Sequence, residues 1–206
     1  MRSALPYRGY TNPQLRSLLR EVFASPGILP RERMDWEHAV RILWDEAAYR
    51  EERYAATILA AHRSARGWQD PDAMPLYEHL VVTGAWWDHV DDLATHHIAA
   101  ILLHHKDSET ARMRAWANAD DLWLRRVAIL CQLPFGADTD RDLLSYAIDA
   151  NVEGTAYGRE FFVRKAIGWA LRQYARTDPD WVRAFVADRR EVLSGLTVRE
   201  ALKHLR

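Results

Sequence analysis

The sequence predicts an all-α fold in which antiparallel helix pairs stack into a curved solenoid. Three observations carry this. Helical periodicity and helix-start signals recur along the whole chain. Strand signals are missing: there are no alternating Val/Ile/Thr runs and no Asn-Gly hairpin turns. A similar helical segment also returns at intervals of 38, 35 and 39 residues, at Arg53, Asp91, Arg126 and Lys165. These intervals fall within the range of HEAT-like and armadillo repeats. Such units cannot bury their apolar faces alone, so they stack on one another and corresponding positions line up along one side.

The elements follow in order. Asn12 and Pro13 open the first helix as N-cap and first helical residue. Asp35 opens WEHAVRILWDEA, and residues 50–65 form a third helix ended near Gly67. Pro75 opens a helix stopped by Gly84, and 86–103 follows directly. Ser108 opens ETARMRAWAN, and 121–133 ends at Pro134. Asp138 or Thr139 starts the next helix, 160–176 ends before Asp178-Pro179, Pro179 starts another, and Thr197 starts the last.

Composition bounds the function. The 206 residues are 49% hydrophobic and 28% charged, which excludes a disordered chain. No apolar run approaches the roughly 20 residues of a membrane span, and Met1-Arg2-Ser3 is followed by no apolar signal-peptide core. A single cysteine, Cys131 in AILCQL, suits a reducing cytoplasm and reads as core filler. The net charge of −1 sets 28 cations against 29 acids, so a basic stripe depends on their distribution. Most of the nine tryptophans are expected in the core, although indole faces also attract cations and bases.

Several clusters invite chemistry. Trp87 and Asp91 stand four apart on one predicted helix and share a face. Asp88, Asp91 and Asp92 suggest a metal, but Asp91 and Asp92 diverge by about 100° and no second acidic cluster completes a site. His97 and His104 lie two turns apart, about 10 Å, too far to share an ion. No metal and no cofactor is expected. Arg125-Arg126 and Arg164-Lys165 are basic doublets at matching repeat positions. One member of each is expected to pair with an acid while the other faces the groove, as part of a phosphate-binding stripe with Arg53. Trp169 lies four residues beyond Lys165 on the same face, and with Trp87 it is placed to flank one site.

WWDHVDDLA (86–94), DLWLRRVAILCQL (121–133) and EFFVRKAIGWALRQYARTDPDWV (160–182) resemble the AlkD-type DNA alkylation-repair glycosylases, which are built of HEAT-like repeats. PYRGYTNPQLR (6–16) and LWDEAAYREERYAATILA (43–60) fit the same family, so the resemblance spans nearly the whole chain as one domain, 1–206. It implies a concave, positively lined groove that holds duplex DNA by its backbone. It also implies excision of cationic lesions, chiefly 7-methylguanine and 3-methyladenine, by hydrolysis of the N-glycosidic bond in base excision repair. The family's catalytic aspartate falls on Asp91, its groove tryptophans on Trp87 and Trp169, and its phosphate-contacting arginine on Arg126. Family members usually carry further helical sequence ahead of PYRGYTNPQLR, so part of the DNA-gripping surface or of the first repeat is expected to be missing. The connection NVEGTAYGREFF (151–162) is longer than usual and is expected to alter the groove edge near Trp169. The expected partner is double-stranded DNA containing alkylated bases, bound by a cytoplasmic, nucleoid-associated monomer. The alternative is a non-catalytic HEAT-repeat scaffold that binds DNA or protein.

Overall fold

A computed structural model describes residues 5–205. Every regular element among them is helical. The chain packs as two compact units, one up to Leu76 and one from Tyr77 on.

The first unit holds α1 (Asn12–Ala24), α2 (Arg33–Asp45) and α3 (Arg50–Ala60), followed by a 3₁₀ helix at Arg63–Trp68. α1 starts one residue earlier than expected. Thr11 is the N-cap, its N–H donating to Gln14 Oε1 at 2.9 Å, and Asn12 is already helical. α2 begins two residues before Asp35, which instead supplies an acid to the first turn, where the helix dipole favours negative charge. The third helix stops at Ala60 rather than running to 65. Gln69 Nε2 donates to the Ala60 and Ala65 carbonyls, both at 3.1 Å, which satisfies backbone groups that a continued helix would have used. Trp36, Val40 and Trp44 are fully buried on one face of α2, and Trp68 meets Trp36 at 5.7 Å between ring centroids.

Glu51 fastens the chain ahead of α1. Its carboxylate is buried and accepts the backbone N–H groups of Arg8 (3.0 Å), Gly9 (2.8 Å) and Tyr10 (3.2 Å). Burial pushes this carboxyl up, but the three donors outweigh it and hold it below the usual glutamate value.

α4 (Met74–Gly84) leads into the second unit. Ala85, rather than Gly84, takes the left-handed conformation (φ 40°) that ends it. Then comes α5 (Trp87–Asp92), a π-helical turn at Leu93–Ile98 and α6 (Ala99–His104), without a break. α7 (Lys106–Trp116), α8 (Leu122–Leu130), α9 (Arg141–Asp149), α10 (Phe161–Tyr174), α11 (Pro179–Asp188) and α12 (Gly195–Ala201) follow. Short polar side chains start four of these helices. Asp121 accepts from Trp123 and Leu124, Asp140 from Asp142 and Leu143, Asp178 from Trp181, and Ser194 from Thr197. The cap of α9 is thus Asp140, one or two residues beyond the expected start.

Within this unit α5 and its π turn pack on α8, α8 on α10, and α10 on α12, while α7, α9 and α11 pair with members of that row. This is the stacking of an α-solenoid. Cys131 is core, as expected, and burial pushes its thiol up to about 12. The tryptophans depart from expectation: only Trp36, Trp44 and Trp116 are buried, and Trp87 is exposed.

Candidate functional site

Asp91 and Arg126 meet. They occupy matching repeat positions on α5 and α8, and the row of stacked helices sets them face to face. Arg126 Nε donates to Asp91 Oδ1 at 2.7 Å and Nη2 to Oδ2 at 2.8 Å, a two-pronged pair. Arg126 Nη1 donates to the carbonyl of Phe162 in the first turn of α10. One guanidinium therefore ties three neighbouring helices together.

The pair is not symmetric toward solvent. The Asp91 side chain is 15% exposed and that of Arg126 only 5%. The acid lies toward the surface with the cation behind it. A carboxylate has about four lone-pair sites; the Arg126 fork uses two, so each oxygen keeps one. Burial pushes the Asp91 carboxyl above its ordinary value. Arg126 opposes that shift, and the neighbouring charge of Asp88 adds to it.

Trp87 stands one turn before Asp91 on the same face of α5 and is 38% exposed. Two residues after Asp91 the backbone widens into the π turn, where Thr95 Oγ1 donates to the Asp91 carbonyl at 2.7 Å. Such single π turns often accompany functional sites.

The expected basic stripe is mostly engaged. Arg126 is buried and committed to Asp91 and Phe162, so in this arrangement it is no open phosphate clamp. Arg125 does not face a groove either. It is buried, and its guanidinium donates to the carbonyls of Ala117, Asn118, Ala119 and Ala150 and to Asn151 Oδ1. It caps the ends of α7 and α9. Lys165 contacts Glu200 Oε1 at 3.3 Å, and Arg164 donates through Nη2 to the Arg159 carbonyl. In the first unit, Arg53 donates to the Trp44 carbonyl at 3.3 Å and lies 4.9 Å over the Trp44 ring. Burial, reinforced by Arg50, pulls its pKa down.

Trp169 is partly exposed on α10. It lies seven residues beyond Phe162 on the same face, about 10 Å along the helix. Trp87 and Trp169 thus sit on two members of the row that holds Asp91 and Arg126.

Sequence reading missed the aromatic group beside the ion pair. Phe162 packs against Trp123 (5.1 Å), Trp86 (5.6 Å) and Phe161 (5.4 Å), and Arg126 approaches the Phe162 ring at 5.9 Å. Phe161 is 57% exposed. The available signal was the pairing of aromatic doublets, Trp86-Trp87 and Phe161-Phe162, at the starts of two motif helices. The 151–160 connection leads into this aromatic end of α10 and is tied to the start of α8. Tyr157 donates to Asp120 at 2.9 Å, with Arg125 4.6 Å over its ring, and a Cβ on Gly158 would fall 1.8 Å from the Val152 carbonyl oxygen.

Among the described residues no group of three or more His, Cys, Asp or Glu side chains gathers that could hold a metal ion. His97 packs against Tyr77 in the core. No helix among them is long and apolar enough to cross a membrane.

The comparisons with known proteins agree with the architecture. A family model described as DNA alkylation repair enzyme matches residues 1–205. Among solved structures, a protein described as "Predicted DNA alkylation repair enzyme from Enterococcus faecalis" superposes with a TM-score of 0.83 at 29% identity, covering 98% of this chain and 89% of that one. No curated protein matches significantly.

Proposed function

The chain belongs to the family of DNA alkylation repair enzymes, and from that premise we propose that it is a DNA glycosylase that releases cationic alkylated purines by hydrolysing the N-glycosidic bond. The observation that carries the proposal is the outward set of the Asp91–Arg126 pair, acid toward solvent beside the exposed indole of Trp87.

Alkylation at N7 or N3 fixes a positive charge on the purine, so the base leaves without being protonated. Its departure builds oxocarbenium-like charge on the deoxyribose, as in other glycosidic cleavages. An approaching sugar meets the negative end of the ion pair first. The free lone pairs of Asp91 then face the developing charge and orient the attacking water. Arg126 fixes the carboxylate plane, so little reorganisation accompanies the reaction. It also weakens the field of Asp91 at a distance, which confines the stabilisation to groups in direct contact. Trp87 and Trp169 supply indole faces for the cationic nucleotide, an attraction of about 0.5–2 kcal/mol each. Partly exposed cations such as Lys165 are the candidates for backbone phosphates, because Arg126 is buried and occupied. Its substrates on this reading are cationic lesions such as 7-methylguanine and 3-methyladenine.

The test is release of 7-methylguanine from methylated duplex DNA. Asp91→Asn keeps the shape and removes the charge, and it should lower the single-turnover rate by about 10²–10³, the usual loss for one preorganised electrostatic group. One observation favours the rival reading, a non-catalytic scaffold: a carboxylate held by two prongs of a buried arginine is also what a purely structural tie looks like. That reading predicts no release by the wild type. Full activity in a folded Asp91→Asn protein would remove Asp91 from the chemistry.

A further inference from the structure

α10 presents a stripe of partly exposed side chains. Lys165, Trp169 and Arg172 stand at spacings of four and three, so they follow one another down a single face. α12 packs along the neighbouring face. The approach is close: a Cβ on Gly168 would fall 2.6 Å from Glu200 Cβ and 3.2 Å from the Thr197 carbonyl oxygen, and Thr197 Oγ1 donates to the Arg164 carbonyl at 3.1 Å. This contact delivers the Glu200 carboxylate to both cations of the stripe. Oε1 takes Lys165 Nζ at 3.3 Å and Oε2 takes Arg172 Nη1. One carboxylate bridges two cations on either side of Trp169, one oxygen to each.

We propose that Lys165 and Arg172 form a binding site for one DNA backbone phosphate next to Trp169, and that Glu200 fills this site as a phosphate mimic until DNA displaces it. Three features support the assignment. A phosphodiester offers two non-bridging oxygens in the same fork-like arrangement as a carboxylate, so the exchange replaces one bridging anion by another. Both cations keep solvent access despite the pairing, at 37% of the Lys165 side chain and 25% of that of Arg172. Glu200 is itself 21% exposed, so it can swing into water without opening the core. Until that exchange the carboxylate keeps the two cations extended along the stripe, which spares part of the ordering that DNA binding would otherwise demand. Glu200 also lowers the positive potential of the α10 face in the free protein, so the strip holds loosely bound anions less well than two unpaired cations would.

This inference rests on the DNA-binding part of the proposed function and not on its chemistry, so the test uses DNA without lesions. Binding of a short fluorescein-labelled unmodified duplex is followed by anisotropy across a salt series. Glu200→Gln should bind more tightly than wild type at every salt concentration, with the slope of log K against log salt unchanged, because the same phosphates are neutralised. Arg172→Gln should bind more weakly, with a slope shallower by up to about 0.9, the contribution of one phosphate contact. If Glu200→Gln melts before it can be assayed, Glu200→Asp serves instead, since its shorter arm cannot reach both cations and should also tighten binding. The proposal is overturned if these Glu200 variants stay folded and bind no tighter than wild type, or if Arg172→Gln keeps the wild-type slope. A loss of 7-methylguanine release in Asp91→Asn, or its absence in the wild type, leaves this result untouched.

Discussion

Removing Arg126 separates its two assignments, holder of Asp91 or clamp for a phosphate. In Arg126→Ala the Asp91 carboxylate loses both guanidinium bonds and the Phe162 carbonyl loses the guanidinium donor. Breaking a buried pair by deleting one partner typically costs about 3–5 kcal/mol, because the remaining charge stays desolvated. Asp91 is 15% exposed and regains some water, so we take the lower end, about 3 kcal/mol. For a chain of this size each kcal/mol moves Tm by about 2–4 °C, giving a fall of about 6–12 °C. Asp91→Asn leaves a buried guanidinium without its counter-charge and is destabilised for the mirror reason. The double variant leaves neither charge, so its loss should fall well short of the sum of the single losses. Calorimetric melts of the four proteins give the coupling directly. Additivity to within about 0.5 kcal/mol would refute the pairing argument.

The same variant has a kinetic signature. Arg126 is the one group that pulls the Asp91 pKa down, against burial and Asp88. The wild-type acid limb should already lie above the ordinary aspartate value near 3.9, because the proposed working form is the carboxylate, lost as pH falls through a raised pKa. In Arg126→Ala that limb should climb further. For stability the sign is opposite. A raised folded-state pKa means the native state holds this proton more tightly, so this group's contribution is present below the ordinary value and is lost as pH rises through the raised one. A phosphate clamp would behave otherwise: DNA affinity and its salt slope would fall, and the acid limb would stay in place.

Gly168→Ala should lower Tm by several degrees, as overpacking against Glu200 and Thr197 costs about 1–3 kcal/mol; an unchanged melt would mean that α12 yields freely. Glu51→Gln should destabilise the protein by about 2 kcal/mol near neutral pH through loss of a charge accepting three backbone N–H bonds. Because this carboxyl is held low, its stabilisation is complete above about 4.3 and disappears as pH falls through the depressed value, so melts of mutant and wild type should converge in acid. Ala85→Gly should raise stability by up to about 1 kcal/mol, read as a higher midpoint in urea, since a left-handed conformation strains any residue with a Cβ.

The helices were legible because their start signals are local chemistry. Asp121 and Asp178 bind backbone N–H groups two or three residues away, an interaction that needs no tertiary partner, whereas the last helix, expected to start at Thr197, begins at Gly195 with Ser194 as its cap. Where a boundary depends on packing, sequence reading slipped. α4 ends at Gly84 as the sequence suggests, yet the left-handed residue that turns the chain there is Ala85. The π turn after Asp91 has no Pro or Gly to mark it, since it is set by how the run from Trp87 to His104 packs. The candidate carboxylate and its neighbouring indole were readable from a spacing of four, a property of any helix. Which arginine of the Arg125-Arg126 doublet faces an acid was not, because the answer lies on other helices. Asp91 stands opposite one, and the carbonyl ends of α7 and α9 stand opposite the other.

The repeat alignment itself carries a physical consequence that the periodicity alone hides. Equivalent positions in stacked repeats are neighbours in space, so charges at those positions either repel or pair. Asp91 with Arg126, and Lys165 with Glu200 of α12, have paired. A row of like charges would have supplied a stronger field for DNA but would have pushed the stacked helices apart. Each of the like-signed neighbours Arg126 and Lys165 is instead matched by an acid on its other side, and the chain as a whole is near neutrality at −1. DNA then has to compete for cations that already have partners. Such a surface should bind undamaged duplex weakly, which favours release from the many sites that carry no lesion. Grip on a damaged site would come mainly from direct contact of the cationic nucleotide with Trp87, Asp91 and Trp169. A steep salt slope on unmodified duplex, matching six or more phosphate contacts, would be incompatible with that division of labour.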